Sequence, residues 1–116
     1  MIDLTGFWRF KEEFDYGEKV GEARLFQKGS LLSGSLVFKE RLQSGDSMMV
    51  RTTLSGKYSE GKVILNDISY TVFSDNPDEE YLLEDREGAL NVKDQVVGSI
   101  MDNDAVGGVF VMDRIF

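Results

Sequence analysis

The stretch Leu4-Thr5-Gly6-Phe7-Trp8-Arg9-Phe10 decides how this chain is read, and it holds the only tryptophan. On an extended strand side chains alternate between two faces. Trp8, Phe10 and Phe14 then share one side, while Phe7, Arg9 and Lys11 share the other. Each large aromatic ring brings about 150–250 Å² of apolar surface to its face. Gly6, two residues before Trp8, leaves room for a neighbouring group to close over the indole. The stretch predicts a strand whose tryptophan plugs one end of a barrel or sandwich.

Outward from this strand, turn signals recur along the whole chain. They fall at Tyr16-Gly17-Glu18, Lys28-Gly29, Ser44-Gly45-Asp46, Ser59-Glu60-Gly61, Ser74-Asp75-Asn76-Pro77-Asp78, Arg86-Glu87-Gly88 and Asp102-Asn103-Asp104. Each supplies Gly, Asn or Asp, which favour chain reversal through positive φ or side-chain capping. Seven reversals predict eight strands joined by short connections. Period-2 patterns lie between them: Gly21, Ala23, Leu25 and Gln27 on one face; Leu32, Gly34, Leu36 and Phe38; Met48, Val50, Thr52 and Leu54. In the fifth strand Val63 and Leu65 are out of phase with Ile68, Tyr70 and Val72, and a bulge at Asn66-Asp67 reconciles the halves. A short sixth strand runs from Tyr81 to Asp85. The seventh groups Val92, Val96, Gly98 and Ile100, and the eighth Phe110, Met112 and Arg114. No window has a helical period.

Glycines within strands echo one another, Leu32-Ser33-Gly34 with Leu54-Ser55-Gly56 and Val97-Gly98-Ser99 with Val106-Gly107-Gly108. Glycine weakens a strand, so the recurrence points to the coiling that closure of a small barrel demands. The expected fold is all-β: a single eight-stranded antiparallel up-and-down (meander) barrel over residues 1–116. At 116 residues the chain is long enough for one core and too short for two.

Composition excludes much chemistry. The chain has no cysteine and no histidine, which removes disulfides, the commonest zinc ligands and the commonest general base. No metal or other cofactor is expected. The net charge of −8 repels phosphate backbones and anionic membranes, so neither nucleic acid nor membrane is an expected partner. No apolar run approaches the ~20 residues of a membrane-spanning helix. The N-terminus has no basic, apolar export signal. The protein is expected to be cytoplasmic if the chain is complete, and exported if such a signal has been removed.

Gly6-x-Trp8 on the first strand, eight meander strands and Arg114 near the end of the last strand resemble the calycin superfamily of lipocalins, fatty-acid-binding proteins and avidin-like barrels. The resemblance implies that Arg114 packs across Trp8. By position, Gly6, Trp8 and Arg114 form a structural plug, with a cation–π stack closing the barrel base.

A barrel of eight strands either fills with side chains or holds one small ligand. The inward polar positions are Gln27, Thr52 and Tyr70, with Glu12 a further candidate. The large groups assigned to the core are Trp8, Phe10, Leu25, Phe26, Leu36, Phe38, Tyr70, Phe110 and Met112. A hollow barrel would place a small apolar ligand against Gln27, Thr52, Tyr70 and Phe38. A filled one would leave an acidic protein-interaction module of the inhibitor or immunity type. The acidic tips at 75–80 and 102–104 lack the spacing of a calcium loop and read as solvated turns. Glu12, Glu84, Asp94 and Asp113 lie on strands, but nothing selects a hydrolytic pair from 21 acidic residues, so no enzyme and no catalytic residue is expected. On the last strand Val109, Val111 and Ile115 lie opposite Phe110 and Met112. With Phe7 they predict an outward apolar strip at the seam of first and last strands, and a homodimer or other protein contact through it.

Overall fold

Alternation sets the structure strand by strand. The computed structural model describes residues 2–73, 81–101 and 107–115. These form β1 (Gly6–Phe14), β2 (Gly17–Lys28), β3 (Leu31–Leu42), β4 (Ser47–Ser59), β5 (Lys62–Phe73), β6 (Asp85–Leu90), β7 (Gln95–Met101) and β8 (Val109–Arg114). Each strand pairs antiparallel with the next, and β8 pairs with β1, so the sheet is a closed eight-stranded meander barrel. No helix occurs among the described residues.

The first hairpins follow their turn residues. Ser59 pairs with Lys62 across Glu60 and Gly61, whose φ values of 51° and 85° give the twist of a two-residue type I′ connection. The predicted turns at 74–78 and 102–104 lie outside the described residues.

The sixth strand differs from expectation. Arg86-Glu87-Gly88 is not a turn but the middle of β6, which begins at Asp85 rather than Tyr81. The reversal comes later, where Asn91 Oδ1 accepts hydrogen bonds from the Lys93 and Gln95 amides at 2.9 and 3.0 Å. Val92 therefore lies fully exposed in the turn, not on the inner face of β7. Gly88 serves packing instead. It pairs with Gly98, where an added Cβ would lie 2.4 Å from the Gly88 Cα. Gly56 is the same device, since a Cβ there would meet the Ile64 carbonyl oxygen at 1.8 Å.

The β5 irregularity also shifts by one residue. Thr53 pairs with Ser69 and Leu54 with Asp67, so Ile68 is the extra residue. Asp67 consequently keeps the inward phase of Val63 and Leu65, while Ile68 is 55% exposed. One residue assigned to the core faces outward, Phe26 (46% exposed), whereas Tyr70 shares the inward phase of its partner Thr52 but stays 40% exposed. Phe26 alternates with buried Leu25, and the Arg24 guanidinium lies 4.9 Å from its ring centroid.

The end of the barrel around Trp8 is apolar and closed. Trp8 and Leu4 are completely buried, and the indole Nε1 donates to the Leu4 carbonyl at 3.0 Å. Arg114 lies 4.4 Å from the indole centroid and donates from Nη1 to the Thr5 carbonyl and from Nη2 to the Asp3 carbonyl. One guanidinium thus ties the last strand, the indole and the N-terminal segment together. Truncation of a buried ring of this size costs about 3–5 kcal/mol. Trp8→Ala is expected to lose that much stability in urea denaturation, and native Trp8 emission is expected to be blue-shifted relative to free indole.

Candidate functional site

Away from Trp8, the barrel interior turns from apolar to ionic. Glu12, inward on β1 and paired in register with Lys19 on β2, is 1% exposed, as is Arg86 on β6. Arg86 uses its fork fully. Nε donates to Glu12 Oε1 at 3.2 Å, Nη1 to Asp67 Oδ1 at 2.8 Å, and Nη2 to Asp67 Oδ2 at 3.4 Å and the Tyr81 hydroxyl at 3.3 Å. Its guanidinium lies 5.4 Å from the Phe10 ring centroid. The Tyr81 hydroxyl contacts Asp67 Oδ2 and Glu84 Oε1, both at 3.0 Å.

Lys19 is the second buried cation. Its Nζ lies 2.9 Å from Glu12 Oε2, an ion pair off the hydrogen-bonding direction, and pairs with Glu84 as well. The rings of Phe14, Phe38 and Tyr81 surround it at 5.7, 5.2 and 4.8 Å. Three carboxylates, Glu12, Asp67 and Glu84, therefore face two cations, and their pairing offsets the desolvation that an isolated buried charge suffers.

The titration behaviour follows from this packing. Burial penalises the Arg86 cation, but Asp67 and Glu12 outweigh it and hold the guanidinium above its ordinary value. Burial pushes the Lys19 ammonium down, against the opposing pull of Glu12. Burial raises Tyr81, with Asp67 and Glu12 adding to the rise against Arg86, so its phenol stays protonated as a donor. Burial also raises Glu40, half-buried beside Lys19, and Lys19 moderates the rise.

The residues read as ligand contacts separate. Gln27 does not join the others: its side-chain carbonyl accepts from the Leu4 amide at 2.9 Å, and its amide donates to the Ile2 and Gly29 carbonyls. It latches the N-terminal segment at the Trp8 end. Phe38 and Tyr70 instead flank Tyr81, with centroid distances of 5.4 and 5.8 Å. Thr52 pairs with Tyr70 in register and is fully buried. Thr52 Oγ1 and Glu40 Oε2 are buried with no hydrogen-bond partner among the described residues. An open depression of about 360 Å³ between the β1–β2 and β3–β4 hairpins is walled by Glu13, Glu18 and Arg41.

The seam residues lie on the outer face, but not as one strip. Val109 is 56% and Phe7 42% exposed, Ile115 is exposed, and Val111 is half-buried. Across the seam Val111 pairs with Lys11 and Val109 with Glu13, and those two charges form an ion pair at 3.1 Å. Alternation on β1 puts charge between the valines and Phe7, whose ring lies under Arg24.

Lys19, Asp67, Tyr81 and Arg86 were not legible as a group. Lys19 shares the inward parity of Gly21 and Ala23. Asp67 shares that of Leu65 once the bulge moves to Ile68, and Arg86 was hidden by a false turn.

No family model matches the chain, and no curated protein matches it. Among solved structures, a de novo designed fluorescence-activating β-barrel is similar over 98% of this chain and 99% of that one, at 19% identity and a TM-score of 0.57. The likeness shows the fold alone, a closed β-barrel.

Removing one partner from a buried ion pair strands the other charge, at a cost of about 3–5 kcal/mol. Arg86→Met is expected to lose that much in urea denaturation, and Arg86→Met with Asp67→Leu is expected to lose less than Arg86→Met alone. Glu40 gives a pH test. Its folded-state carboxyl holds its proton more tightly than the unfolded one, so it opposes folding where it is ionised and ceases to as pH falls through the carboxylate range. Glu40→Gln should raise the melting temperature at neutral pH, and the gain should vanish in acid.

Proposed function

We propose that this protein is a non-enzymatic binding protein of calycin-like architecture that works through its surface, as an acidic protein-interaction module. The observation that carries this reading is Arg86: its guanidinium crosses the barrel interior to Glu12 and Asp67 and occupies the space a ligand would take. The buried charged groups are bound to one another, which suits a locked interior better than catalysis. Arg9, Lys11, Glu22, Arg24, Lys39 and Arg51 face outward where a membrane barrel carries an apolar band, which supports a protein that works in water. The calycin-like reading is supported by Gly6-x-Trp8 with Arg114 over the indole.

One observation favours a second reading, a small apolar ligand carrying a hydrogen-bond donor. The unpartnered Thr52 and Glu40 oxygens belong to the same half of the barrel as Phe38, Tyr70 and Tyr81, and buried polar atoms are normally satisfied. Native mass spectrometry and titration with N-phenyl-1-naphthylamine, a neutral aromatic probe with one N–H, separate the two. The interaction reading expects the bare chain mass and no saturable fluorescence rise. A stoichiometric small molecule, or probe binding abolished by Thr52→Leu, would replace it with the ligand reading.

A further inference from the structure

We propose that the outer edge of β5 is a self-association surface, on which Ser69–Phe73 pairs antiparallel with the same residues of a second copy. The proposal rests on the protein-interaction reading and names the partner.

The backbone supplies the first argument. β5 pairs with β4 from Lys62 to Phe73, but with β6 only through Lys62–Asn66. Beyond the bulge at Ile68, no strand among the described residues lies against Ser69–Phe73 on the side away from β4. A strand edge of this kind presents unpaired N–H and C=O groups that template another strand. Elsewhere among the described strands the residues paired on one side only are one to three at a strand end, as at Gly6–Phe7 of β1 and Ile100–Met101 of β7.

Sequence chemistry supplies the second. Ile68-Ser69-Tyr70-Thr71-Val72-Phe73 has no charge, no proline and no glycine, in a chain with 34 charged residues (13 basic and 21 acidic). Soluble proteins usually protect an edge with lysine, proline or a bulge, and five or six uncharged β-branched and aromatic residues are a pairing hazard without such protection. Ile68 and Phe73 are 55% and 57% exposed, and the segment before β6 adds exposed Leu82 and Leu83.

The occupant follows from charge and symmetry. At −8 the chain as a whole repels its own copies, yet this edge has no charge to oppose contact or to select a charged foreign strand. A two-fold axis at Thr71 places Ser69 opposite Phe73, Tyr70 opposite Val72 and Thr71 opposite its own copy. One isologous contact then satisfies both edges and closes at two chains. The β1–β8 seam is the weaker candidate, because its backbone is already paired and Lys11 and Glu13 interleave with its valines.

Sedimentation velocity of the full chain at physiological salt, over a wide concentration range, tests the proposal alongside Thr71→Lys and Phe73→Lys. Thr71→Lys sets two ammonium groups against each other at the axis. Wild type is expected to sediment as a dimer and both variants as monomers with unchanged thermal melts. Should a variant fail to fold, hydrogen exchange on wild type gives the same answer: the amides within 69–73 that point away from β4 are protected in concentrated solution and exposed on dilution. A wild type that is monomeric throughout, or a dimer that survives both variants, overturns the proposal. A dimer lost in Val111→Glu but kept in Thr71→Lys moves the contact to the seam, overturning the β5 edge while sparing the protein-interaction reading. That reading instead fails on a stoichiometric small molecule in native mass spectrometry.

Discussion

The guanidinium of Arg86 is the interaction on which the rest of the interior depends. It joins β6 to Asp67 on β5 and, across the barrel, to Glu12 on β1. The β5–β6 junction is short, with five residue pairs among the described residues, as few as β7–β8 has. Asp67 adds two bonds to the same junction, its amide donating to the Glu84 carbonyl and its carboxylate accepting from the Glu84 amide. A side chain normally excluded from cores thus helps close the sheet where backbone pairing is short.

Such a network is a weak source of net stability, since desolvation of the charges consumes much of their attraction. Its stronger effect is on register. Arg86 finds its acceptors only if β6 sits where Leu65 faces Arg86, and only if the bulge falls at Ile68 so that Asp67 points inward. A slip of one residue would turn Asp67 to solvent and leave a guanidinium buried without an acceptor. Beyond the bulge, β5 continues against β4 but pairs with no second strand among the described residues.

The two halves of the barrel solve closure differently. Around Trp8 closure is apolar, with Arg114 stacking on the indole from outside while donating to N-terminal carbonyls. In the other half, aromatic rings surround a lysine ammonium, and carboxylates satisfy it from the remaining directions. Between them, Gly56 and Gly98 let neighbouring backbones approach within distances no Cβ would allow. Small size and full interior are therefore linked: the close approach that shrinks the barrel leaves side chains little room to stand back from its axis.

The sequence by itself determined the class, the strand count and the Trp8 end. Period-2 alternation is a local property, the Glu60-Gly61 turn is set by its own φ preferences, and Gly6-x-Trp8 with a terminal arginine pairs residues that a closed meander must bring together. Only the tertiary structure decided the ionic half. Gly88 in β6 has the composition of a turn, and the need to clear Gly98 and Phe110, residues distant in sequence, makes it part of a strand. Lys19, Asp67, Tyr81, Glu84 and Arg86 are ordinary surface residue types when taken one at a time. They are buried because their charges meet one another at a point that no segment contains, and that meeting exists only once eight strands have closed.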